Sequence, residues 1–157
     1  MTNEIINSNP FILFLIKAKQ NTYAAEGQLS QPSRPTSKDL AFQEGSFKYI
    51  DTYLGDIDFI GEEAVWYESK PVWGMNYVGR MLVEKIPDGF FGFLKKALIN
   101  VPQEMPYRGP EEMVDGDFSY TCCVEGAINW YKGVETIVYK GQKIYQMNFH
   151  GGAIRTI

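Results

Sequence analysis

From residue 46 onward, apolar and polar positions alternate with period two over most of the chain. "SFKYIDTYLG" at 46–55, "EEAVWYES" at 62–69 and "PVWGMNYVGRML" at 71–82 read as three strands; "DFSYTCCVEG" at 117–126, "VETIVYKG" at 134–141 and "QKIYQMNFHG" at 142–151 read as three more. "SKP" and "YKGQK" supply tight turns, and connections this short make the neighbouring strands antiparallel. A helical period appears twice. Phe11, Leu15 and Ala18 form one stripe behind Asn9–Pro10, a cap followed by proline in the first turn. Phe90, Leu94 and Ala97 or Leu98 form the other behind Asp88, a candidate cap. Between each helix and its strands the pattern leaves a long loop, 24–39 and 101–116, and loops of that length in a compact domain are functional or disordered.

The two sets of strands align. Gly61–Gly79 lies over Gly133–Gly151 at a shift of 72 residues with six identities in nineteen positions, among them Glu63/Glu135, Met75/Met147 and Asn76/Asn148. Chance gives about one. Phe47, Tyr49 and Gly55 likewise match Phe118, Tyr120 and Gly126 at a shift of 71, and "FLIKAKQN" at 14–21 matches "FLKKALIN" at 93–100. The expected architecture is α+β: one domain over 1–157 made of an internally duplicated helix-plus-three-strands unit, at about 11–84 and 88–154. The two units form a curved antiparallel sheet of about six strands with two helices on one face. Two three-stranded meanders closing into a barrel are the alternative.

Composition narrows the function. Hydrophobic content of 45% with 22% charged residues is that of a globular domain, and the 15% aromatic share suits β-structure. A net charge of −4 without a Lys/Arg block argues against direct nucleic-acid binding. The longest apolar run, "FILFLI" at 11–16, is too short to span a bilayer and reads as a core helix, so the expected setting is the cytoplasm, away from membranes. Cys122 and Cys123 are adjacent, point to opposite faces and cannot form a relaxed bridge; they are expected as reduced, buried thiols. One histidine and no spaced cysteine pair leave a zinc site with too few good ligands, and no cofactor motif is present.

Candidate chemistry concentrates in the paired positions. Arg34 and Arg108 occupy equivalent places in the two long loops; brought together, their guanidiniums would grip a carboxylate or phosphate, whereas the structural alternative has each pinning its own loop. Glu63 shares parity with Val65 and Tyr67 and is expected at the rim of the apolar face, as a ligand for an amine or as a partner for an arginine. Asn76 and Asn148 stand in strands where Asn is disfavoured, for a structural bond or a ligand contact. Trp73 and Tyr77 are core or cleft wall, and Tyr23 opens the first long loop. His150, unmatched in the first unit, and Glu62 are the remaining acid–base candidates; no nucleophile is marked beside them, so no catalytic residue is assigned.

"NTYA" at 21–24, "PSRPTSKDL" at 32–40, "VWGMNYVGR" at 72–80, "PYRGP" at 106–110 and "FHGG" at 149–152 resemble a bacterial domain-of-unknown-function family that occurs alone or behind helix-turn-helix (XRE-type) transcriptional regulators. That resemblance implies no activity. The expected function is small-molecule binding or sensing of an anionic or aromatic ligand, with Arg34, Arg108, Trp73, Tyr77, Tyr23, Glu63, Asn76 and Asn148 as site residues. A structural or interaction module acting as a homodimer is the second reading, and an acid–base enzyme the third.

Overall fold

The computed structural model of the chain describes residues 1–22 and 29–156. In chain order the elements are α1 (Thr2–Ile6), α2 (Asn9–Asn21), β1 (Leu29–Ser30), β2 (Lys38–Glu44), β3 (Phe47–Gly55), β4 (Phe59–Tyr67), β5 (Lys70–Met81), α3 (Phe90–Ile99), β6 (Glu112–Asp115), β7 (Phe118–Ala127), β8 (Trp130–Tyr139) and β9 (Gln142–Ala153). All nine strands form one antiparallel sheet, ordered β1-β2-β3-β4-β5-β9-β8-β7-β6. Two runs of consecutive strands therefore meet in the middle, at β5 and β9.

This corrects the expected α+β class. Among the described residues the sheet has nine strands and not six, there are three short helices and not two, and β-structure dominates. The strands absent from the sequence reading lie mainly in or beside the two supposed loops, and their chemistry explains why they escaped. β1 has two residues, both exposed, and β6 has four, none of them buried, so neither carries an apolar alternation; backbone pairing to β2 and β7 alone defines them. β2 does alternate, burying Leu40 and half-burying Phe42, but follows directly on the polar "PSRPTS" stretch. The meanders join edge to edge, with β1 and β6 at the sheet's ends, and do not form a barrel. Helix starts also shift slightly. Ser8, whose hydroxyl accepts the Phe11 N–H, caps α2 ahead of Asn9, and α3 begins behind Gly89 rather than a capping Asp88 side chain.

The six sequence-read strands are present, and two of their hairpins have primed-turn geometry. Glu68–Ser69 links β4 to β5 and Lys140–Gly141 links β8 to β9, all four residues at positive φ, as in primed turns that match the sheet's twist. The helices cover the face bearing Trp73, Met75, Tyr145 and Met147: Phe11 meets Trp73 edge-on, Phe14 stacks on Phe47, and Phe90 and Phe93 pack on Tyr145 and Phe118. Of the two cysteines, Cys122 is buried and Cys123 is exposed, which corrects the expectation of two buried thiols.

The repeated aromatic-x-Met-Asn-aromatic-x-Gly phrase acquires a reason at the β5–β9 seam. Met75 lies opposite Glu63 on one side and Gly151 on the other; Met147 lies opposite Glu135 and Gly79. Rings lie across these glycines. A Cβ on Gly79 would stand 2.3 Å from the Phe59 ring, and one on Gly151 would stand 2.5 Å from the Tyr131 hydroxyl and 2.2 Å from the Gly74 carbonyl oxygen. Gly61 and Gly133 make room in the same way for Tyr77 and Phe149. At Gly151 the obstacle includes backbone of the central strand, which cannot step aside. Gly151→Ala is expected to lower the unfolding free energy by about 2 kcal/mol or more in urea titrations, while Gly141→Ala meets no atom and perturbs only its turn.

Candidate functional site

Strand parity puts a row of ionisable side chains on the helix-covered face. In β3 the inward positions are Tyr49, Asp51 and Tyr53; in β4 they include Glu63, directly opposite Asp51; in β8 they include Glu135. Lys19 reaches them from the last turn of α2 and Arg108 from the segment between α3 and β6. All five charged groups are buried: Asp51 is 3% exposed, Glu63 2%, Glu135 0%, and Lys19 and Arg108 8% each. Charges out of water persist only with partners, so the pairing decides what each can do.

Glu135 is fully engaged. The Arg108 guanidinium donates to both carboxylate oxygens, Nε to Oε2 and Nη2 to Oε1, each at 3.0 Å. The Tyr120 hydroxyl donates to Oε2 at 2.6 Å and the Tyr145 hydroxyl to Oε1 at 2.9 Å, while Tyr120 accepts the Gly109 N–H at 2.8 Å. Burial works against the Arg108 charge, but Glu135 and the phenols around it raise its pKa well above the usual range. Glu63 is paired with Lys19. Burial lowers the Lys19 pKa, and Glu63 offsets part of that effect.

Asp51 differs. Its carboxylate accepts one hydrogen bond, from the Tyr77 hydroxyl at 2.6 Å, and it forms no ion pair among the described residues. Burial first, and then repulsion from Glu63, push its pKa up to about 7, against the Tyr77 hydrogen bond and the more distant Lys19 and Arg108 charges. A buried carboxyl group whose pKa is raised in this way suits proton transfer or ligand binding. It also borders space. Asp51, Tyr77 and Arg108 line a cavity of about 270 Å³ whose remaining wall includes Tyr53, Phe59 and Phe91. Phe91, 60% exposed, stands at the mouth.

Residues 51–154 match the domain of unknown function DUF5680. The chain belongs to that family. The matched region opens on Asp51 and includes Tyr77, Arg108, Tyr120, Glu135 and Tyr145, whereas α2 with Lys19 lies ahead of it. No curated protein and no solved structure matches the chain.

Within this DUF5680 fold the sequence-predicted site residues scatter. Tyr77 and Arg108 line the Asp51 cavity. Glu63 is adjacent but committed to Lys19. Trp73 is wholly buried core; its indole N–H donates to the Ile128 carbonyl at 3.2 Å and its ring stacks on Tyr131. Arg34 does not join Arg108. It is exposed and donates to the Thr52 carbonyl and hydroxyl at 3.3 and 3.4 Å, and Thr52 points to the face opposite Asp51. Tyr23 lies outside the described residues.

Asn76 and Asn148 lie on that opposite face with His150, where a broad groove of about 1120 Å³ crosses β4, β5, β9 and β8. Asn76 donates to Glu62 at 2.9 Å, and the exposed side chains of Ile60, Val78 and Trp130, the last 83% exposed, flank the groove. The groove is larger than the Asp51 cavity, yet no buried charged group lines it, so the chemistry favours the smaller space.

Asp51, Tyr53, Phe59 and Lys19 were missed by sequence reasoning. A signal existed for Asp51: aspartate is depleted in strands, and "FKYIDTY" puts it at the inward parity of Tyr49. Among the described residues no group of three His, Cys, Asp or Glu side chains is placed to hold a metal ion, and no helix is long and apolar enough to cross a membrane.

Proposed function

We propose that the chain is a small-molecule-binding domain whose ligand occupies the cavity at Asp51. One observation carries this reading: a nearly fully buried carboxyl group that has no ion-pair partner among the described residues faces a cavity lined largely by aromatic rings, while Glu63 and Glu135 beside it each have a cation. Evolution retains such a group where it binds or reacts, since an apolar residue would cost less to bury. The volume, just below the 300 Å³ or so at which pockets begin to hold drug-sized molecules, suits a compact ligand. A sensing role accords with the resemblance to domains that accompany helix-turn-helix regulators.

A protein-observed NMR screen of small fragments tests the proposal. Binders are expected to shift the amides of Tyr53, Phe59 and Phe91, and Ile57→Trp, which puts an indole at the cavity wall, is expected to abolish those shifts. Fragments that perturb only the opposite groove around Asn76 and His150 would overturn it.

We also propose that the domain arose by duplication of one unit. The support is that the ring-on-glycine contacts fall in two pairs, Gly61/Tyr77 with Gly133/Phe149 and Gly79/Phe59 with Gly151/Tyr131. The register shifts at Val65/Trp66 and Ile137/Val138 fall at matching places too. Asp51 then marks where the copies diverge, because its counterpart is Cys122, also buried and also opposite a glutamate, with a thiol pKa pushed up to about 12 by burial.

A further inference from the structure

Charge in the buried cluster does not balance. Among the described residues three carboxylates, Asp51, Glu63 and Glu135, share the inner face with two cations, Lys19 and Arg108. Lys19 is taken by Glu63, and Arg108 is taken by Glu135 in fork geometry. Asp56 at the cavity wall has its own surface partner, Lys38. No basic residue occurs in the undescribed stretch 23–28, "YAAEGQ". Ionised Asp51, itself 3% exposed, thus leaves about one uncompensated negative charge on the inner face. A bound anion would add to that excess, a neutral molecule would leave it, and a cation would cancel it.

We infer that the cavity takes a primary ammonium group on a compact apolar or aromatic body, the ammonium donating to Asp51 and the body lying among Tyr53, Phe59 and Phe91. This inference rests on the cavity reading above and adds the ligand's charge to it. Ring faces attract cations, and a charge-assisted hydrogen bond to a desolvated carboxylate is about twice as strong as a neutral one. Arg108, which also lines the cavity, opposes a second cation, but Glu135 holds it at two oxygens and neutralises it locally.

The inference carries its own pH signature. Groups facing Asp51 are Lys19 from α2, Tyr49 and Tyr53 on its own strand, Glu63 from β4, Tyr77 from β5 and Arg108 from the segment before β6. Burial and the Glu63 charge push the Asp51 pKa up to about 7. An alkylammonium stays charged across that range, so binding strengthens as Asp51 loses its proton, from pH 6 toward pH 8. At pH 6 to 7 binding releases a proton to the buffer.

NMR titration of the intact protein with benzylamine, benzyl alcohol and benzoate separates the possibilities, since the three share a body and differ in charge. Benzylamine is expected to bind at pH 8 at least about tenfold more tightly than benzyl alcohol, with benzoate weakest, and to weaken at pH 6. Asp51→Asn, which keeps an acceptor for Tyr77, is expected to erase the amine's advantage and its pH dependence while leaving the alcohol's affinity in place; Glu44→Gln, at an exposed carboxylate that does not line the cavity, is expected to leave all three unchanged. Should benzyl alcohol or benzoate perturb Tyr53, Phe59 and Phe91 as readily as the amine, the ammonium assignment falls and the cavity reading stands. Should none of the three perturb those residues, both fall. The wild-type pH dependence decides between these outcomes even if a variant folds poorly.

Discussion

Arg108→Ala is expected to be the most damaging single substitution in the inner cluster, lowering the unfolding free energy by about 3–5 kcal/mol. The loss does not measure the value of the ion pair. It arises because Glu135, without exposure, retains two phenol hydrogen bonds but loses the guanidinium that neutralises it. Arg108→Lys keeps the charge and forfeits the fork, so it is expected to fall between wild type and alanine. Pairing Arg108→Ala with Glu135→Gln removes the stranded charge and is expected to restore a substantial part of the stability. Urea denaturation of the three variants beside wild type checks the order. If the double variant is less stable than Arg108→Ala alone, the cost lies in lost packing and not in an orphaned carboxylate.

Asp51→Asn is expected to do the opposite and stabilise the protein at alkaline pH. The folded-state pKa of about 7 stands above the unfolded value of about 3.9. The folded state therefore holds the proton more tightly, and stability declines as pH rises from about 4 to about 7, by roughly 4 kcal/mol at most. Asparagine keeps the size and the Tyr77 hydrogen bond but never ionises, so the variant's stability is expected to stay flat through that window. At pH 8 its melting temperature is expected to exceed wild type, by roughly 8–16 °C at most, given about 2–4 °C per kcal/mol for a domain of this size. A functional residue that costs stability is the usual signature of a binding site maintained by selection. A variant less stable than wild type at pH 8 would show that the Asp51 charge is welcome where it sits.

Much of the frame was legible because period-two alternation and turn residues are local signals. Tyr145, Met147 and Phe149 read as one face, and that face is buried. Phe11, Leu15 and Ala18 read as a helical stripe, and all three are fully buried. Edge strands were not legible, because a strand such as β6, "EMVD", pairs through its backbone and buries no complete side chain. The site was half legible. Tyr77 and Arg108 reach the cavity, and Arg108 stood out because it repeats in the chain. Equal places in sequence gave no equal places in the fold for Arg34, which meets Thr52 on the outer side of the sheet, so the expected pair of guanidiniums does not form. Asp51 was not legible because it has no acidic counterpart in the second half, where Cys122 stands in its place, so the repeat does not mark it. Only the three-dimensional pairing of Lys19 with Glu63 and Arg108 with Glu135 leaves Asp51 without a cation.

The ionisation of Asp51 itself is the most direct test. In protein labelled with ¹³C at aspartate, the side-chain carboxyl resonance of Asp51, assigned by its loss in Asp51→Asn, can be followed from acid to alkaline pH. The account predicts a midpoint near 7 in the ligand-free protein, set by burial and by Glu63 across the strand pair. A midpoint near 4, where an ordinary aspartate titrates, would mean that water or a cation already compensates the group, and would contradict the uncompensated charge on which the site rests.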